Sequence, residues 1–194
     1  MILPTNQLDN NFIIPTVNGR RIQVVRVSCP LTTELQIFTL HAKYNVTVQK
    51  EEFYEFEDSE VSVIKSDKGV LVMSYPKESG KLESYMMTVY GVNQYKTTYN
   101  IIVPGAVKSN SYVSMTFSSG SADGFQIDHN IVYAVTHFNN TISGITYTTV
   151  SYSISAGAHT ISHRSNLCFG LWIYGESKDD SYGFPGGMTY TDYS

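Results

Sequence analysis

The stretch FGLWIYGESKDDSYGFPGGM, Phe169–Met188, changes character partway along. Its opening, Phe169–Tyr174, is apolar or aromatic apart from Gly170, whereas the remainder carries charge, glycine and a proline. That succession reads as a strand to be buried running into a shaped loop. Successive side chains of a strand point to opposite faces, so Trp172 is expected opposite Leu171 and Ile173. In the loop, SYGFPGG, glycines let the backbone turn sharply while Tyr182 and Phe184 are either displayed or tucked beneath it.

Working outward, the same kind of short extended run recurs along the chain: LQIFTLHA, YNVTVQ, SEVSVIKS, GVLVMSY, SYMMTVYG, YNIIVPG, SYVSMTF, IVYAVTHF and TYTTVSYSI. No stretch holds a helical period, and strands this brief and this often punctuated predict an all-β, antiparallel β-sandwich. Asn18-Gly19 tolerates the positive φ of a type I′ turn and predicts a hairpin over residues 12–28. Asp67-Lys68-Gly69 predicts another turn, and Gly157 a third, with His159 starting the return strand. Pro104 and Gly105 break an apolar strand before a polar stretch. This divides the chain into two packed β-sandwich units, residues 1–104 and 105–194, against the alternative of one continuous sandwich.

Composition bounds the function. A chain of 194 residues with 42% hydrophobic content can fill a core. The 15 tyrosines suit half-exposed pleated sheet. A net charge of −4 offers no basic field for a phosphate backbone, which argues against nucleic acid as a partner. No apolar run reaches the roughly 18 residues a membrane helix needs, so membrane insertion is not expected, and MILPTNQL lacks the pattern of a signal peptide. Two Asn-x-Thr sequons, at Asn45 and Asn139, are compatible with export.

The sequence carries few motifs of catalytic chemistry. GxSxG, HExxH and phosphate-cradling glycine loops are missing, so no catalytic residue, cofactor or metal is expected. His159 and His163 lie roughly 13 Å apart along an extended chain, too far to share an ion. They read as a strand pair facing solvent, with His159 pinning its turn. Cys29 and Cys168 are either one long-range disulfide or two buried free thiols that pack as small hydrophobes. The acidic run EEFYEFEDSE, Glu51–Glu60, is either a cation or partner site or an edge strand whose charges discourage aggregation. Asp179 and Asp180 are either acidic residues of a turn or a calcium-ligand pair.

The ending SISAGAHTISHRSNLCFGLWIYGESKDDSYGFPGGM resembles the C-terminal part of the IgGFc-binding protein N-terminal domain family. The resemblance is carried by Gly157, His159, Phe169, Gly170, Leu171, Tyr174, Gly175, Ser181, Tyr182, Gly183, Phe184 and Gly187, and upstream by Gln94-Tyr95 after an apolar strand. It extends over about residues 20–190. It implies a secreted, non-enzymatic protein-recognition or adhesion module of an extracellular or mucin-like protein, often part of a larger domain. The partner is then an extracellular protein. The alternative is a lectin-like, glycan-binding domain, and Tyr182, Phe184, Asp179 and Asp180 are the candidate contact residues for either.

Overall fold

The computed structural model describes residues 3–18, 22–59, 61–77, 83–105, 110–118, 122–142, 144–176 and 181–190. Its strands are β1 (Asp9–Ile13), β2 (Gln23–Ser28), β3 (Thr33–Phe38), β4 (Lys43–Val48), β5 (Phe53–Asp58), β6 (Val63–Pro76), β7 (Met87–Val89), β8 (Thr98–Val103), β9 (Asn110–Ser118), β10 (Phe125–Ile127), β11 (Asn130–Ile131), β12 (Thr136–Ile142), β13 (Ile145–Ile154), β14 (Gly157–His163), β15 (Gly170–Glu176) and β16 (Ser181–Pro185). Among the described residues the only helical pieces are two 3₁₀ turns, Thr5–Gln7 and Val92–Gln94. The chain is all-β and antiparallel, as its alternating pattern predicts.

The strands form three sheets. The first is built on β6, whose initial half pairs with β3 and β1 and whose second half pairs with β2 and β7. Beyond these, β4 and β5 form the outer ends. The second sheet runs β12-β13-β9-β15-β16 and the third β11-β10-β14-β8.

Two local expectations fail here. Strands β1 and β2 do not form the hairpin expected over residues 12–28; each pairs with a different half of β6. The intervening Ile14–Val17 is an interior crossover: Ile14 N–H donates to the Ser62 carbonyl at 2.9 Å, and the Thr16 carbonyl accepts from Ser114 Oγ at 2.8 Å. Gly19 lies outside the described residues. Asp67–Gly69 does not reverse the chain but sits inside β6, where the pairing with β1 shifts register between Asp9 and Asn11. Val63 and Ile64 pair with β1 and β3, so they do not fold back onto Val70–Val72.

The middle sheet is buried on both faces. Leu171 and Ile173 of β15 join Val113, Met115 and Val150 against Tyr99, Ile101, Phe125 and Ile161 of the third sheet. Trp172 and Tyr174 point the other way, into a core with Val25, Val27, Leu35, Ile37 and Val72 of the first sheet. Trp172 is thus opposite Leu171 and Ile173, as strand parity requires. This second interface is laced with hydrogen bonds that fix its register. Trp172 Nε1–H donates to the Thr88 carbonyl at 3.0 Å, Asn140 Nδ2 to the Val61 carbonyl at 2.8 Å, and Asn18 N–H to the Tyr174 hydroxyl at 2.9 Å. Strand β8, which precedes position 104, pairs with β14 beyond it, so strands from both sides of that position share one sheet.

Candidate binding surface

Tyr182 and Phe184 lie not in a loop but on β16, the strand that closes the hairpin with β15. They are half-buried, stacked at 5.9 Å, and packed against the core between the second and third sheets. Tyr182 OH shares a 2.8 Å hydrogen bond with Ser111 Oγ. The glycines beside these rings provide room for them. A Cβ on Gly175 would meet the Tyr182 ring at 2.3 Å, and one on Gly183 would meet Tyr85 at 2.2 Å. The glycine-aromatic pattern therefore records close ring-to-backbone packing. Asp179 and Asp180 lie outside the described residues.

The upstream signature is also structural. Gln94 is buried at the end of the 3₁₀ turn, accepting from Gly91 N–H at 3.0 Å and donating to the Gln7 carbonyl at 2.7 Å. Asp9 holds the same turn from β1, accepting from Asn93 N–H and Nδ2–H, both at 2.9 Å. Tyr95 meets Trp172 edge-on at 6.2 Å and shares a 2.7 Å bond with Thr116 Oγ1. A Cβ on Gly170 would strike both rings. Burial pushes the Tyr95 and Tyr174 hydroxyls well above the usual phenol range.

His159 pins its turn, as expected. Its Nδ1 is 2.7 Å from Asp128 Oδ2 and its Nε2 is 2.9 Å from the Ser155 carbonyl, while Gly157 adopts φ +127°. Ser155 Oγ is 3.4 Å from Nε2, which outlines a serine-histidine-aspartate order. Nε2 lies closer to the Ser155 carbonyl, at 2.9 Å, than to the Ser155 hydroxyl, so the ring's nearest partner there is backbone. His163, in contrast to the solvent-facing pair expected, is buried against Phe125 at 4.8 Å and sits 3.1 Å from the Asp123 carbonyl. Neither reading of the cysteines holds in full: both are free thiols, Cys29 buried as expected but Cys168 exposed, in the irregular stretch just before β15. Burial raises the Cys29 pKa, keeping it protonated. Both sequon asparagines are exposed, Asn45 on β4 and Asn139 on β12.

The acidic run falls on β5, an outer strand of the first sheet. Its parity separates two kinds of aromatic residue. Tyr54 and Phe56 turn inward onto the core, while Phe53, Glu55 and Glu57 face out. Opposite Glu55 on β2 stands Arg26, whose Nε–H donates to Glu55 Oε1 at 2.7 Å. The Arg26 guanidinium also lies 4.4 Å from the Phe53 ring centre and 5.5 Å from that of Tyr75 on β6. The Glu55 hydrogen bond raises the Arg26 pKa further. Lys77 pairs with Glu57. These carboxylates are matched by cations across strands, and among the described residues no group of three or more metal-ligating side chains is gathered.

Phe53 also borders an apolar cleft of about 320 Å³ lined by Leu3, Leu8, Pro30 and Leu71, with Glu51 and Glu52 at its margin. An ordered arginine between aromatic rings beside an apolar hollow with an acidic rim has the composition of a protein-contact surface. Sequence reasoning singled out the acidic run but missed Arg26, Tyr75 and Leu71. The available signal was parity: QVVRVS places Arg26 on the face opposite Val25 and Val27.

The chain is thus a layered antiparallel β scaffold whose glycine-aromatic signature residues are consumed in packing. The chain belongs to the IgGFc binding protein family, whose match covers residues 1–175 and so ends before β16. That is a family of non-enzymatic, extracellular binding modules. No curated protein matches the chain. A solved anti-sigma factor domain-containing protein from Clostridium clariflavum is similar at 8% identity over 93% of this chain and 83% of that chain, with a TM-score of 0.21, too low to carry an argument. Among the described residues no helix is long and apolar enough to cross a membrane.

Proposed function

We propose that this chain is a secreted protein-recognition and adhesion module and that the outer face of β5-β2-β6 makes the contact. The observation that carries the reading is Arg26, held by Glu55 and stacked on Phe53 and Tyr75 beside the apolar cleft. A side chain ordered before binding loses little freedom on complex formation, which is how a small surface reaches useful affinity. The fitting partner is a protein that places an apolar side chain over Phe53 and Leu71 and a cation against Glu51 and Glu52. Exposure of both sequons supports the extracellular setting.

The test is a binding panel of purified secreted and cell-surface ectodomains, immunoglobulin Fc among them, probed with the wild-type chain and Phe53→Ala. A partner that binds the wild type and is weakened about 30-fold by Phe53→Ala supports the assignment. A panel with no binder, or a binder indifferent to Phe53→Ala, contradicts it.

A further inference from the structure

Away from that face, a polar cleft of about 350 Å³ lies beside the β12–β13 hairpin. Its walls include Asp123, Tyr133, His137, Asn139, Thr148 and Tyr152. Tyr133 is 89% exposed, an unusual state for an aromatic ring on a folded chain. Asn139 is the acceptor residue of the sequon Asn139-Asn140-Thr141. Its Oδ1 accepts from Thr148 Oγ1 at 2.8 Å and lies 3.2 Å from His137 Nε2. With Oδ1 so engaged, Nδ2 makes no hydrogen bond among the described residues. The neighbouring Asn140 is buried and anchors the hairpin through the Val61 carbonyl, so the position of Asn139 over the cleft is fixed.

We propose that Asn139 carries an N-linked glycan whose first N-acetylglucosamine lies in this cleft, with its apolar face on the Tyr133 ring and its polar groups toward Asp123 and His137. In the linking step Asn139 Nδ2 displaces a polyprenyl diphosphate from C1 of a lipid-linked oligosaccharide. The C–N bond forms, the C–O bond to the diphosphate breaks, and the Nδ2 proton leaves to a base of the transferase. An aromatic ring face is the usual partner for the C–H face of a sugar, because it offers apolar area with a negative quadrupole. Asn45 provides the internal contrast. It borders a hollow lined by Glu34, Gln36, Lys65, Ser66 and Asp67 that has no aromatic wall. A sugar there would have no ring to lie on.

The inference rests on the extracellular reading above, but its test does not depend on the Phe53 surface or on any partner. The full chain is expressed behind a signal sequence in a eukaryotic secretory host as wild type, Asn45→Gln, Asn139→Gln and Tyr133→Ala. Thr141→Val serves as a second way to remove the sugar while keeping Asn139. Mass spectrometry reads occupancy, and thermal melting compares protein trimmed to one N-acetylglucosamine with protein lacking it. The expected result is an occupied Asn139 whose single sugar raises Tm by about 2–4 °C in the wild type, with no rise in Tyr133→Ala and less than about 1 °C from a sugar on Asn45. An unoccupied Asn139 in secreted protein, or a Tm increment that survives Tyr133→Ala, overturns the proposal. Neither result bears on whether Phe53 binds a partner.

Discussion

Strands β15 and β5 are both aromatic-rich and both end in an acidic residue, yet they occupy opposite environments. On β15 every residue from Gly170 to Gly175 is buried, because the middle sheet has a layer packed on each face. On β5 only Asp58 is buried, because one face is open and, among the described residues, one edge has no neighbouring strand. The difference teaches that aromatic content does not tell display from packing. What decides is how many layers cover the strand, and that is a long-range property. The glycine-aromatic signature around β15 and β16 is therefore scaffold, and the plainer acidic strand carries the exposed ring.

The largest effect should come from β15. Trp172→Ala removes a fully buried indole and strands the Thr88 carbonyl, so urea unfolding should register a loss of about 3–5 kcal/mol. Tyr174→Phe removes a buried hydroxyl that accepts from Asn18 N–H and bonds Ser151 Oγ at 3.3 Å, which should cost about 1–3 kcal/mol by the same measurement. A mild response to both would break the contrast by showing that the middle sheet is not tightly enclosed.

The buried phenols add a pH dependence. Tyr95, Tyr99, Tyr152 and Tyr174 all have pKa values raised chiefly by burial. A phenol whose folded pKa exceeds its unfolded value favours the folded state in full below about pH 10 and loses that contribution as pH rises beyond it. The urea midpoint should therefore begin to fall above about pH 9, where the unfolded Cys29 thiol ionises, and fall more steeply above about pH 10, less so in Tyr174→Phe than in the wild type. The smallest stability effect belongs to β5: Phe53→Ala should cost less than about 1 kcal/mol. Were Phe53→Ala as destabilising as Trp172→Ala, Phe53 would be a core residue rather than a contact.

Much of this was legible in the sequence, and the failures have physical causes. Alternation set the all-β class and put Trp172 opposite Leu171, since parity along one strand is local. Gly157 and His159 announced their turn because both act within a few residues. The charged edge of β5 was readable as one of two alternatives for the same reason. The Asn18-Gly19 hairpin failed because β1 and β2 each found a better partner in β6, some 50 residues away. His163 looked solvent-facing because a strand residue's parity does not say which face is covered. The 181–187 segment read as loop because glycine serves a sharp turn and a ring packed on the backbone equally well. Parity places Arg26 on the outer face but does not name its partners, Glu55 and Tyr75, which come from two other strands.

The two aromatic strands can be set against each other directly by native-state hydrogen exchange read by mass spectrometry on peptides covering residues 170–176 and 53–58. Amides of β15 should exchange only through global unfolding, while those of β5 on its open edge should exchange by local opening, orders of magnitude faster. Equal protection of the two peptides, or faster exchange in β15, would contradict the assignment of scaffold to the middle sheet and of contact to the outer face.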